Sequence, residues 1–273
     1  MEKNQKTEIK TKKVNGVSTS SMIMLACLVL AGLIYVFIFG SPSNFVNNDP
    51  NNHPLDGNLL GTIYKGGIIV PIIQTLLLTV LALSVERFIA IKKAEGKGNL
   101  TQFVHDINSA LSAGNIAEAK EICSKQEGSV ANVVSSALTK YEQVEQDKNL
   151  SKEQQILAIQ KEVEEATALE LPMLSQNLPI IATITTLGTL MGLLGTVIGM
   201  IRSFASLAGA GGTDSIALSQ GISEALINTA FGIATGALAV VSYNYFTSRI
   251  DSVTYCIDEV GFSIVNTFAA THK

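Results

Sequence analysis

Hydroxyl and amide side chains recur on one face of two long apolar runs in the C-terminal part of this 273-residue chain. In residues 178–201, Thr185, Thr189, Gly192, Thr196, Gly199 and Ser203 fall on one side of a helix at about 100° per residue. In residues 225–245, Asn228, Gly232, Thr235, Ala239 and Ser242 form a similar stripe, with Thr229 beside it. A threonine hydroxyl both donates and accepts, so such a stripe can hold a file of water or solvate an ion without itself carrying charge. Polar groups in lipid need partners, so both stripes must face protein or water. The plainer reading is packing. Each Thr can bond the carbonyl one turn back, and the pairs Gly188/Gly192, Gly195/Gly199 and Gly232/Gly236 have the spacing that lets helices approach closely. Matching stripes on two neighbouring helices favour a polar path added to that packing.

Neither run contains Asp, Glu, Lys or Arg. Proton relays and ion pumps need a titratable or charged group inside the membrane. The nearest acid is Glu224, at the external mouth of the last run, where a solvated acid favoured by the helix dipole is the competing reading. If the protein conducts ions, the central carboxylate must come from another chain, so the sequence implies a partner.

Four apolar runs are long enough to cross a hydrocarbon core of about 30 Å. They are residues 22–39, 66–85, 178–201 and 225–245. A cleaved signal peptide competes for the first, but its apolar stretch is long and the following FIFGSPSN is a poor cleavage site. Lys3, Lys6, Lys10, Lys12 and Lys13 precede the first run, and Arg87, Lys92, Lys93 and Lys97 follow the second. Residues 41–65 hold only Lys65, and residues 203–221 hold no Lys or Arg. This asymmetry places both termini in the cytoplasm. The Asn/Pro-rich residues 41–65 read as an external linker with poor helix and strand potential.

Residues 92–177 form the cytoplasmic region and read as helices. Gly114 and Gly128 stop the first two, and Asn115 and Ser129 suit the N-caps of the next. Ser151 with Gln154 has the spacing of a capping box. From there the pattern runs into the third span, predicting one helix of about 50 residues, roughly 75 Å long, that Pro172 and Pro179 kink. The expected fold is all-α: a polytopic membrane helical bundle whose long helices extend into a cytoplasmic helical domain.

Composition excludes several classes. Hydrophobic residues make up 47% and charged residues 15%, which argues against an ordinary soluble domain. The net charge of −4 gives no support for nucleic-acid binding. Cys27, Cys123 and Cys256, like His53, His105 and His272, are scattered, so neither a metal site nor a disulfide framework is expected. The segment Ala-Gly-Ala-Gly-Gly at 208–212 is not followed by Lys-Ser/Thr, and no nucleophile, base or cofactor motif marks an enzyme.

The segments GLLGTVIGMIRSF (192–204) and GISEALINTAFGIATGALAVVSYN (221–244) resemble the signature of the MotA/TolQ/ExbB proton-channel family, with wording nearest ExbB and TolQ. The resemblance covers about 200 residues, 66–273. It leaves a basic tail (1–21), an extra N-terminal transmembrane helix (22–40) and the linker (41–65) as additions. It implies a stator in the bacterial inner membrane that couples an ion gradient to work at the outer membrane. Five copies would surround an ExbD/TolR-like single-span partner whose Asp carries protons, and a TonB/TolA-like protein would deliver the force. Thr196 and Thr229 match the family threonines of the ion path, and Glu224 matches the acid at its mouth. Prolines common in ExbB are replaced by Thr189 and Leu238. The added polarity of Thr185, Thr186 and Asn228 leaves H⁺ and Na⁺ both open. A TolQ-like envelope stator and a MotA-type motor stator are alternatives of the same kind. A non-conducting scaffold or a transporter subunit is the alternative of a different class.

Overall fold

The computed structural model describes residues 16–147, 149–209 and 215–271. The lysines of the basic tail, the glycine-rich segment from Ala210 to Gly212 and His272 lie outside them. The described residues are helical, with one isolated bridge between Phe45 and Pro54. Four helical stretches are long and apolar enough to cross a membrane. They make the chain a multi-pass membrane protein.

Helix α1 (Gly16–Leu33) continues into looser π-helical turns over Ile34–Phe39. Cys27 and Ala31 are buried on the side facing the next membrane helix, while Leu25, Val29 and Phe37 point outward, as expected of a helix against lipid. The linker departs from its expected irregularity. It makes two short 3₁₀ turns, Pro42–Asn44 and Val46–Asn48, and a short helix α2 (Leu59–Tyr64) that Asn58 caps through Gly61 N at 3.0 Å. The physical reason lies in two residues. Asn44 donates to the otherwise orphaned carbonyls of Ile38 (2.8 Å) and Phe39 (3.0 Å), and Phe45 is 1% exposed.

Helix α3 (Ile69–Glu95) crosses next, with Pro71 in its first turn, where a missing N–H costs nothing. It turns towards the next helices through Gly96, which meets Gly128. Both have φ near 80°, and a Cβ on Gly96 would lie 2.3 Å from the Glu127 carbonyl oxygen, so only glycine fits the crossing.

A second bundle comprises α4 (Leu100–Ser112), α5 (Ile116–Gln126), α6 (Gly128–Gln146) and α7 (Lys152–Ser175). Asn115 caps α5 through Glu118 N at 3.1 Å, and Ser151 with Gln154 closes the expected capping box on α7. Ser129, expected as an N-cap, instead lies within α6 and donates to Glu170, because Glu127 and Gly128 at positive φ already start that helix.

The expected single helix of about 50 residues is two. Helix α7 ends at Ser175 and α8 (Leu178–Gly209) begins after Gln176 and Asn177, the latter at φ 68°. Pro179 brings no N–H to the carbonyl four residues back, and the break frees carbonyls of α7. Arg87, only 2% exposed, takes two of them: its guanidinium donates to Met173 O at 3.0 Å and Leu174 O at 3.2 Å while pairing with Glu86. Asn177 donates to Glu86 at 3.1 Å and accepts from the Ser20 hydroxyl, tying α1 to the same joint.

Helix α9 (Ser215–Thr271) has 57 residues and no break, about 85 Å long. Beyond the fourth span it buries Phe246, Ile250, Val253, Ile257, Val260, Ile264 and Phe268 at spacings of three and four. This stripe packs on α4, α6 and α7, with Tyr141 edge-on to Phe268 at 4.8 Å.

Candidate functional site

Helices α8 and α9 run antiparallel and form the most extensive pairing in the molecule. Their contact is built on glycine. A Cβ on Gly188 would lie 3.0 Å from Gly236 N, one on Gly192 3.0 Å from Asn228 O, and one on Gly232 2.6 Å from Gly188 O. Gly199 faces Gly221 and Ala225, and a Cβ on Gly195 would strike the Asn228 side chain at 2.3 Å. All six glycines of the small-xxx-small pairs lie in this one seam, within a single chain. A larger residue at any of them would push the helices apart.

The hydroxyl stripe divides along that seam. Thr235 is fully buried in it, with its hydroxyl on Phe231 O at 2.8 Å, and Ser203 is buried with donation to Gly199 O at 3.1 Å. Relative to Gly192, Thr196 is rotated by about 40° and Thr189 by about 60°, so they fall on the rim of the seam. Thr189 is exposed and Thr196 and Thr185 are half-buried. The stripe read as continuous is therefore a packed line with a polar edge. The rim hydroxyls donate to carbonyls of their own helix: Thr185 to Ala182 O (2.6 Å), Thr189 to Thr185 O (3.4 Å) and Thr196 to Leu193 O (2.5 Å). Each keeps its oxygen lone pairs for another donor. Thr229 reaches across the seam to Gly192 O at 3.3 Å. Thr229 thus stands opposite Gly192, and Thr196 lies one helical turn, about 6 Å, further along α8.

Asn228, 1% exposed, joins a third helix to the seam: its Nδ2 donates to Gly66 O at 2.9 Å, just before α3. One turn outward, Glu224 lies under Gly67, where a Cβ would come within 2.6 Å of its carboxylate. Arg202 of α8 pairs with Glu224 at 2.7 Å, and the Glu224 side chain is 12% exposed. Glu224 is therefore a covered, paired acid and not a freely solvated one. Arg202 directly follows the third apolar run, and the sequence alone does not pair it with Glu224. The signal was available in the antiparallel register that Gly199 and Gly221 set, which brings positions 202 and 224 close. The buried Gly66 contact left no such signal.

At the outer face of α8, a groove of about 520 Å³ is lined by Thr196, Val197, Met200, Ile201 and Phe204. It is apolar except for one hydroxyl, that of Thr196.

Comparison with known proteins agrees with this architecture. Residues 126–259, which hold α8 and most of α9, match the MotA/TolQ/ExbB proton channel family. An ExbB homolog of Methanothermobacter thermautotrophicus is 26% identical over 196 residues, 71% of this chain and 65% of that protein. The Tol-Pal system protein TolQ of Pseudomonas aeruginosa is 25% identical over 183 residues, covering 65% of this chain and 79% of the relative. The biopolymer transport protein ExbB of Salmonella typhimurium is 35% identical over 85 residues, 31% of this chain and 35% of the relative. The chain thus spans less than two thirds of the archaeal and Salmonella relatives. The match across α8 and most of α9, with relatives named ExbB and TolQ aligned along much of the chain, makes this chain similar to the MotA/TolQ/ExbB proton channel family.

Proposed function

We propose that this chain is a channel-forming stator subunit that couples the proton gradient of a bacterial inner membrane to energised transport at the outer membrane. Both of its termini lie in the cytoplasm. It assembles as a homo-oligomer, five copies around an ExbD/TolR-like single-span partner, and a TonB/TolA-like protein carries the force outward. The reading rests most on the polar rim of α8 and α9. Thr185, Thr189, Thr196 and Thr229 present hydroxyl oxygens at the edge of a seam that contains no acid, and Glu224 with Arg202 covers its outer end. Such a rim solvates an ion but supplies no proton carrier, so the carrier is an acid on the partner. The groove beside Thr196 has the character such a span needs, apolar walls with one hydroxyl.

Replacing Thr196 or Thr229 by valine tests this. Valine keeps the shape and removes both donor and acceptor. Energised transport in cells should be lost with abundance and oligomer size near normal, and Thr→Ser should keep part of it. Glu224→Gln should be milder, because that side chain is at the mouth. The burial of Thr235 and Asn228 within the seam favours a second reading, in which the polar residues only pack. Full activity of both valine variants would leave that scaffold reading as the answer.

A further inference from the structure

We propose that the cavity between α3, α6 and α7 binds the headgroup of a phosphatidylethanolamine-type lipid, a zwitterion carrying a phosphodiester and a primary ammonium. The cavity, about 600 Å³, is lined by Lys93, Lys97, Glu127, Ser129, Asn132 and Glu170 among others. It lies where α3 leaves the apolar layer. Val85, Phe88 and Ile89 are still exposed apolar side chains, and Lys93 follows Ile89 by one turn. On the facing helix, Leu169 and Met173 are exposed at 78% and 50%. Acyl chains thus have an apolar strip beside a polar cavity at headgroup height.

The charges in the cavity select the headgroup. Lys97 is in an ion pair with Glu127, which removes both from the count. Lys93 makes no ion pair among the described residues. Glu170 accepts from the Ser129 hydroxyl at 2.7 Å and from Asn132 Nδ2 at 3.1 Å. Those neutral donors hold the carboxylate in place without cancelling its charge. One cation and one anion therefore line the same space. Lys93 suits the phosphate, and Glu170 suits a group that brings N–H donors and a positive charge. A primary ammonium has three such donors, whereas a choline headgroup has none, and an anionic headgroup meets repulsion from Glu170.

The experiment is native mass spectrometry of the full-length protein, delipidated in detergent and titrated separately with dioleoyl phosphatidylethanolamine, phosphatidylcholine and phosphatidylglycerol. The ethanolamine lipid should be retained in preference to the other two. Lys93→Gln and Glu170→Gln should each lower its retention about fivefold. Lys161→Gln, which breaks only the exposed pair with Glu165 outside the cavity, should leave it unchanged. Equal or greater retention of either other lipid, or unchanged retention in both cavity variants, would overturn the assignment. Should Glu170→Gln fail to fold, Lys93→Gln still decides, since that side chain is exposed. Lipid retention is read without ion transport, so it stands or falls apart from the channel reading.

Discussion

Replacing Gly232 by alanine separates the packing of the α8–α9 seam from its chemistry. The added methyl would lie 2.6 Å from both Gly188 O and Gly192 Cα. Carbon contacts are most favourable at about 3.5–4.0 Å, so α8 and α9 must separate by about 1 Å at their closest crossing. Overpacking of this kind costs about 1–3 kcal/mol. Alanine also recovers about 1 kcal/mol of helix propensity, which masks part of the loss. Gly32→Ala in α1 measures that recovery alone, because a Cβ there meets nothing within 4 Å. The two variants should therefore differ by about 2 kcal/mol, or about 4–8 °C in Tm for a chain of this size. The chain has no Trp, so unfolding is best followed by circular dichroism at the helix band in a fixed detergent. Equal Tm values for the two alanine variants would refute the claim that Gly232 is required by close approach.

Arg87→Gln should cost about 3–5 kcal/mol, because it leaves Glu86 and two α7 carbonyls without their buried partner; a Tm within 2 °C of the parent, by the same spectroscopy, would count against that role for the joint. Burial pushes the Cys123 thiol up to about 12 from an ordinary 9.0, so the folded state holds a proton that the unfolded chain releases above that ordinary value. Stability should therefore fall as pH rises from about 9 towards 12, and a Cys123→Ala variant measured across the same range should lack this component. For topology, a cysteine at Asp56 should react with an impermeant maleimide on intact cells, and one at Gln102 only after permeabilisation, with buried Cys123 silent in both; labelling of position 102 from outside would reverse the orientation.

The spans were legible because length and apolarity alone specify them, and Asn115 and Ser151 announced their caps by the acceptors they offer at fixed offsets. The α7–α8 joint was only half legible. Pro172 and Pro179 advertised a bend, but the break sits at Asn177 because a guanidinium some 90 positions earlier in the chain receives the freed carbonyls, and no local pattern carries that. The second half of α9 shows the opposite failure. The three-and-four spacing of Phe246, Ile250, Val253, Ile257, Val260, Ile264 and Phe268 is present in the sequence, but it follows the fourth apolar run without a break, so nothing local marks where α9 leaves lipid for the bundle. At the candidate site, the glycine spacing indicated close approach but not the partner, so packed and rim positions of the stripe could not be separated until the register of α9 was known.

The contrast between α9 and the α7–α8 pair has a mechanical consequence. From Glu224 at one end to Phe268 at the other, α9 runs 44 residues, about 66 Å, as an unbroken rod. The parallel route through α8 and α7 is interrupted at Asn177 and pinned there by Arg87. The glycine seam obliges α8 to move with α9, so a change of shape in this pair falls on the joint between α8 and α7 and not within α9. The subunit is a stiff axle set beside an articulated arm, and the hinge of that arm, between α7 and α8, sits at Arg87.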